Sequence, residues 1–247
     1  MLTQYLIDLF EVANHTKASV IFISPTLISS TNAKQNVFVM QTDGIPQLPF
    51  EALCTRDRIS EFNARISQWD DVNLEFKTSD IKEVTEVVFS SKKFKSKMNF
   101  KCMKKSVIMG AERSFQDVSL NVARETPPKN IKVQPEFKIE LSPTEITSLS
   151  EGDRLLKSEF VTISCNNGIV ELSLVSNNGE KMTIDVDIPC MAISSNNATF
   201  SYRYSTPDFL SLIKHYGNSG ITICSHGVIK LPAKHVHIYI VPIKNLV

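Results

Sequence analysis

The sequence contains no apolar run approaching the roughly 20 residues that cross a bilayer, so no membrane span is expected. Its opening stretch has neither the basic start nor the cleavage site of a secretory leader. Cysteine is sparse: Cys54, Cys102, Cys165, Cys190 and Cys224 are odd in number, far apart and without a C-x-x-C pair. Such a set argues against a disulfide frame or a zinc finger and fits reduced thiols in the cytoplasm. Without a leader, the N-x-T patterns at Asn14 and Asn197 carry no glycosylation signal. Neither sign of charge dominates. The net charge of +1 excludes a globally basic nucleic-acid binder, but not one that sorts its charges onto separate faces. No Gly-rich phosphate loop is present. Ser90 and Lys93 fit S-x-x-K with none of the partner motifs that give it meaning. His235 and His237, two apart on an expected strand, imitate a metal site with His226, but such a pair is an ordinary surface feature. No catalytic residue, metal or cofactor is expected.

What is present is enough apolar sequence for a real core. Of 247 residues, 42% are hydrophobic and 21% charged, which suits one large domain or two ordinary ones. Leu2, Leu6, Leu9, Phe10 and Ala13 recur at helical spacing and predict a first helix. Strands are expected at Ser19–Ser24 and Asn36–Gln41. A second helix is expected from an N-cap near Thr55, burying Ile59, Phe62, Ile66 and Trp69. Further strands are expected at Val72–Phe76, Glu83–Phe89, Lys93–Cys102, Ser106–Met109 and Val118–Val122. In Lys93–Cys102 the lysines and the apolar residues alternate.

The composition then changes. Residues 123–135, with three prolines and no helical period, read as an extended linker between domains at 1–122 and 136–247. After it the order repeats. A strand at Phe137–Leu141 runs into Ser142-Pro143, a favoured helix start, with Ile146, Leu149 and Leu156 on the buried face. Val161–Cys165, Ile169–Val175 and Lys181–Val186 are joined by Asn-Gly turns, a strong hairpin signal. A strand at Thr199–Tyr204 leads into a helix that starts at Ser205-Thr206-Pro207 and buries Phe209, Leu212, Ile213 and Tyr216. Strands at Ile221–Cys224, Val228–Leu231 and His237–Val241 close the chain. Helices are too few for parallel βαβ winding. The fold class is α+β, with antiparallel meanders and two helices in each half.

This order resembles the DNA sliding clamps, most closely the T-even phage type and more distantly proliferating cell nuclear antigen. Two segments carry the resemblance: Phe137 to Ile146 with the hairpin that follows it, and Phe200 to Lys214 with the closing segment Tyr239 to Lys244. It implies two similar clamp domains per chain, with sheets outside and helices lining a central hole. It further implies a homotrimeric ring that slides on double-stranded DNA without catalysis. A DNA polymerase would be tethered to it, and an ATP-driven clamp loader would open it. A phage-encoded clamp would work in the cytoplasm of its bacterial host.

A lining helix needs weak, sequence-blind attraction to phosphate. Facing away from the expected core are Arg154, with Lys157 at the margin, and Ser211, Lys214 and His215, while Arg65 lies at the margin of the second helix. Thr147, Glu151 and Ser158 also face outward on the third helix, as do Gln4, Asp8, Glu11 and His15 on the first, which therefore does not look like a phosphate binder. The seven lysines between Lys92 and Lys105, with no acid among them, read either as an electrostatic DNA contact or, the favoured reading, as a strand kept soluble by charge. By the resemblance, partner peptides dock between the linker and the last strand, on Ile131, Val133, Ile240, Val241 and Ile243. Two other classes fit the composition: a non-ring, charge-held polymerase accessory factor of herpesvirus type, and a β-rich viral structural protein.

Overall fold

Alternating strands and singly placed helices fold, in the computed structural model, into antiparallel sheets with helices packed on them. The structure describes residues 2–25, 28–34, 36–41, 44–46, 52–55, 61, 64, 66, 68–79, 84–101, 135–166, 169–186, 191–192, 199–224 and 227–243. The chain divides into two units: Met1–Asn121 with Lys234–Val236, and Val122–Ala233 with His237–Val247. The expected linker lies outside the described residues apart from Pro135, as do the strands expected at Ser106–Met109 and Val118–Val122. Among the described residues no helix is long and apolar enough to cross a membrane.

In the first unit, helix α1 (Leu2–His15) buries Leu6, Leu9, Phe10 and Ala13 as the spacing predicts, together with Tyr5 and Val12. It packs on β1 (Ala18–Ile23), which lies between β2 (Ile28–Asn32) and β4 (Ala52–Thr55), with β3 (Val37–Gln41) beyond β2. Every residue of β3 is buried, so this strand lacks the solvent-facing alternation of an outer sheet. A second sheet holds β5 (Val72–Thr78), β6 (Val84–Ser91) and β7 (Ser96–Lys101), and Phe100 of β7 meets Phe10 of α1 with ring centroids 5.7 Å apart.

Thr55 is the last residue of β4, and the start of the expected second helix, residues 56–60, lies outside the described residues, while Glu61, Ala64 and Ile66 are helical and Ile66 is buried. Two expectations change here. The strand expected from Lys93 begins only at Ser96, because Lys92–Lys95 forms a turn with Lys95 in the left-handed region (φ 47°). Asp8, expected to be exposed, is buried: it accepts hydrogen bonds from Gln4 (2.9 Å) and Lys234 (2.8 Å) and lies 3.0 Å from His235 Nε2. Burial pushes the Asp8 pKa up, but the Lys234 and Gln4 hydrogen bonds, the Lys234 charge and the His235 contact outweigh it, and the net shift is downward.

In the second unit, β8 (Pro135–Ile139) precedes α2 (Pro143–Leu156). Then come β9 (Phe160–Asn166), β10 (Ile169–Val175), β11 (Lys181–Asp185), β12 (Met191–Ala192) and β13 (Phe200–Ser205), followed by α3 (Thr206–Tyr216). The chain continues through a short 3-10 turn into β14 (Ile221–Cys224), β15 (Ile229–Ala233) and β16 (Val236–Ile240). One sheet runs β11-β10-β9-β13, and β12-β8-β14-β15-β16 are neighbours in another. Helix α2 lies over β10 and β11, α3 lies over β9 and β13, and the two helices touch. Gly152 of α2 is pressed against Met182, and a Cβ there would stand 3.2 Å from Leu174. Tyr204 is fully buried and donates its hydroxyl to Gly227 O (2.6 Å), while the Tyr202 ring lies so close to Gly227 that a Cβ would meet it within 2.4–2.8 Å. Gly227 also has φ 74°, which a side chain strains.

Tyr204→Phe keeps the ring but orphans a buried carbonyl, so it should cost about 1–3 kcal/mol in urea unfolding. Gly227→Ala adds backbone strain and a ring clash and should cost at least about 2 kcal/mol. A neutral result for Gly227→Ala would show that the Tyr202 contact yields freely. Because the Asp8 pKa is depressed in the fold, its contribution is present above the unfolded value of about 3.9 and is lost as pH falls through the folded pKa. Asp8→Asn should therefore destabilise by about 1 kcal/mol at neutral pH. Its unfolding curve should converge with the wild type below about pH 4.

Candidate nucleic-acid interface

Each helix of the second unit is positioned by its ends. Ser142 caps α2 in a reciprocal box: its Oγ accepts the Glu145 N–H (3.2 Å), and Glu145 accepts the Ser142 N–H (2.5 Å). Sequence reading found the Ser-Pro start and missed Glu145, although S-x-x-E is its written signature. At the other end Lys157 takes the left-handed conformation (φ 48°) and closes the helix with its N–H on Asp153 O (2.7 Å). The chain turns there, so Ser158 is not an outward helix residue as expected. It is buried, donates to Phe160 O (2.7 Å) or Val175 O (2.8 Å), and accepts the Val175 N–H (3.1 Å). Helix α3 starts at Thr206-Pro207 with Asp208 buried in its first turn.

Ile146, Leu149 and Gly152 of α2 and Phe209, Leu212, Ile213 and Tyr216 of α3 face inward. What remains outside includes Arg154 and Lys157 from one helix and Lys214 and His215 from the other, all exposed, while Ser211 is half-buried. The basic groups sit in the last turns, where the helix dipole favours cations. Glu151 is also exposed and Asp153 half-exposed on α2, so its outward charge is nearly balanced, whereas α3 turns no carboxylate outward. Burial raises the Asp153 pKa.

In the first unit, Arg65 lies outside the described residues. The acids of α1 are not bare. Lys234 bridges Asp8 (2.8 Å) and Glu11, and His235 also contacts Asp8. The repulsion that the sequence suggests for this helix is thus largely cancelled by a lysine more than 220 positions away, which no helical-wheel reading can supply.

The residues expected to form a partner groove are only partly assembled. Ile131 and Val133 lie outside the described residues. Ile240 is completely buried and belongs to the core, so it is not available to line a groove. Val241 is half-buried and Ile243 is 37% exposed, with its N–H bonded to Arg203 O on β13 (2.7 Å). Next to that contact β13 carries half-exposed Phe200 and Tyr202, stacked at 5.4 Å, and Phe200 meets Phe137 at 4.9 Å. The Phe-x-Tyr-x-Tyr alternation was the available signal for this row. His235 lies in the turn before β16 and His237 within it, so they do not form a strand pair, and His226 is outside the described residues. Among the described residues no group of three His, Cys, Asp or Glu could hold a metal ion.

No family model and no curated protein matches the sequence. Solved structures do match it. The DNA polymerase III subunit beta from Pseudomonas aeruginosa superposes with a TM-score of 0.65 at 10% identity, over 99% of this chain and 65% of that one. The DNA polymerase sliding clamp from Bacillus subtilis gives 0.63 at 12%, over 98% and 63%. The beta subunit from Thermotoga maritima gives 0.64 at 10%, over 98% and 64%. The chain therefore spans about two thirds of the length of these proteins, and its α+β fold of antiparallel sheets and packed helices is the sliding-clamp fold.

Proposed function

We propose that the chain is a sliding clamp of the T-even phage type, a non-catalytic processivity factor whose three copies close into a six-unit ring around duplex DNA. A DNA polymerase is its client, a clamp loader opens it, and the cytoplasm of a bacterial host is its setting. The observation that carries this reading is the clamp fold, which extends over 98–99% of the chain.

Two features of the second unit support it. Arg154, Lys157, Lys214 and His215 supply exposed basic groups on paired helices, which suits phosphate contact without base readout. Among the described residues β11 ends its sheet, with no strand on its outer side. The Ser176–Glu180 and Val170–Val186 backbone bonds fix the phase of the β10–β11 ladder. Hydrogen-bonded pairs alternate with unbonded ones in an antiparallel ladder. The N–H groups of Lys181, Thr183 and Asp185 therefore point away from β10, ready for another strand. Val175, exposed on β10 opposite Lys181, and Leu155 (74% exposed) on α2, the helix over β10 and β11, leave apolar surface on this part of the unit for a partner. An uncovered edge of this kind is an aggregation liability, and a head-to-tail ring removes it. The polymerase-binding segment would rest on Val241 and Ile243 beside Phe200 and Tyr202, where apolar area drives binding.

Light scattering should give a mass near three times 27.7 kDa. Thr183→Pro removes an outward N–H but no bond to β10, and proline is tolerated in that position. It should leave a folded monomer. A Thr183→Pro protein that keeps the wild-type mass would mean that β11 is not the joining edge. Replacing Arg154 and Lys214 by Gln and Lys157 by Asn should lower polymerase stimulation and flatten the log-affinity against log-salt slope on duplex DNA by up to about 3. A wild-type protein that stays monomeric and leaves circular DNA at high salt would be a charge-held accessory factor instead.

A further inference from the structure

We propose that the β6–β7 hairpin tip, Lys92–Lys95, is a contact for single-stranded nucleic acid, with Phe94 stacking on a base and Lys92 and Lys95 meeting the flanking phosphates. The hairpin belongs wholly to the first unit, and the proposal does not rest on ring formation.

The lysines of this sheet fall into two groups. On its body Lys77 is paired with Glu86 (2.8 Å) and Lys97 with Glu75 (3.9 Å), and Lys101 lies opposite Glu86 in the β6–β7 register. At the tip Lys93 is held by Asp70, but among the described residues Lys92 and Lys95 have no carboxylate partner. Between them Phe94 is 45% exposed, with the Lys93 ammonium 5.7 Å from its ring centroid. Nearly half of this large apolar ring is open to solvent at the end of a charged hairpin.

The tip is also rigid. Asp71 accepts from the Ser91 hydroxyl and from the Lys93 N–H (2.9 Å), Ser91 Oγ accepts the Phe94 N–H (3.1 Å), and the Lys95 N–H closes on Lys92 O (3.3 Å). Three successive backbone donors are thereby used internally, so the tip offers nothing for an added peptide strand. Its remaining chemistry is one π face and two free ammonium groups. That combination suits a chain with phosphates along its backbone and bases free to turn outward. A duplex keeps its base faces inside the stack and could use only the charges.

The test is fluorescence anisotropy with the full chain and a labelled oligo(dT), beside a duplex of equal length, a polyglutamate peptide and phosphatidylserine vesicles. Phe94→Ala and Phe94→Leu should each weaken oligo(dT) binding by about 5- to 100-fold. Phe94→Trp should preserve it, and duplex binding should be unchanged in all three. Leu keeps apolar bulk without a π face, so it separates stacking from burial. Lys92→Gln with Lys95→Gln should reduce the oligo(dT) salt slope by about 1.4. Oligo(dT) affinity that is unaffected by Phe94→Ala, absent in the wild type or matched by Phe94→Leu would overturn the proposal. So would Phe94-dependent binding to polyglutamate or to vesicles without binding to oligo(dT).

Discussion

In the second unit, an apolar seam fixes what every other surface can do. There Ile146, Leu149 and Gly152 of α2 and Phe209, Leu212 and Ile213 of α3 turn inward over the sheet that carries Val161, Ile163, Leu172 and Leu174. Burying one such side chain fully is worth about 1.5–3 kcal/mol, far more than any single surface charge. The helices therefore settle by their apolar stripes, and their charges go where the stripes leave room. Gly152 lets α2 approach β10 and β11 closely, and Lys157 ends the helix so that Ser158 can tie β9 to β10. The exposure of Arg154 and Lys214 follows from this packing and needs no contact of its own.

How much of this could be read in advance depended on whether the signal was local. Helical spacing found Leu6, Leu9, Phe10 and Ala13 of α1, Ile146 and Leu149 of α2 and the buried face of α3, because a stripe of Leu, Ile and Phe has one place to go, but Leu156, at the C-terminal end of α2, is only half-buried. The turn at Asn177-Asn178-Gly179 was legible because Gly179 adopts φ 85°, as such a hairpin requires. β2 was not legible. Its sequence is Ile-Ser-Ser-Thr-Asn, yet Ser29 and Ser30 are fully buried, and only the neighbours on either side make a strand of it. The strand that ends at Thr55 was likewise not legible: Ala-Leu-Cys-Thr carries no alternation, and it is its pairing with β1 that makes it a strand. Lys93–Cys102 alternates in sequence, yet the turn at Lys92–Lys95 uses its first residues to reverse the chain. Of the candidate site, the helix charges were legible and the aromatic row Phe200–Tyr202 was overlooked.

Electrostatics repeats the lesson at longer range. Asp8 and Glu11 look like a repulsive acidic face until Lys234 is placed beside them. The lysine strand looks uniformly basic until Glu75 is placed beside Lys97 and Glu86 opposite Lys101 in the β6–β7 register. Net charge near zero thus conceals local neutralisation in some places and real excess in others. On duplex DNA, a clamp wants only modest excess, because tight phosphate contacts would impede sliding. α2, where Arg154 sits near Glu151, has that weak character.

At 10–13% identity, this chain shares a fold with the clamp structures while sharing few residues. That is physically reasonable, since an antiparallel strand needs a period of two and a packed helix a period near 3.6, and many residues satisfy either. The features proposed here differ in how well they would withstand such drift. The outward amides of β11 are backbone groups, present whatever side chains the strand carries, so joining subunits by sheet continuation demands almost nothing of sequence. The charges at Arg154 and Lys214 can move to neighbouring exposed positions as long as some basic group faces the phosphates. A groove at Val241, Ile243, Phe200 and Tyr202 has no such latitude, because it must match one partner's side chains. Under the proposed reading, sheet continuation would tolerate the most sequence drift and partner choice the least, while the two periods alone are enough to keep the fold recognisable at this identity.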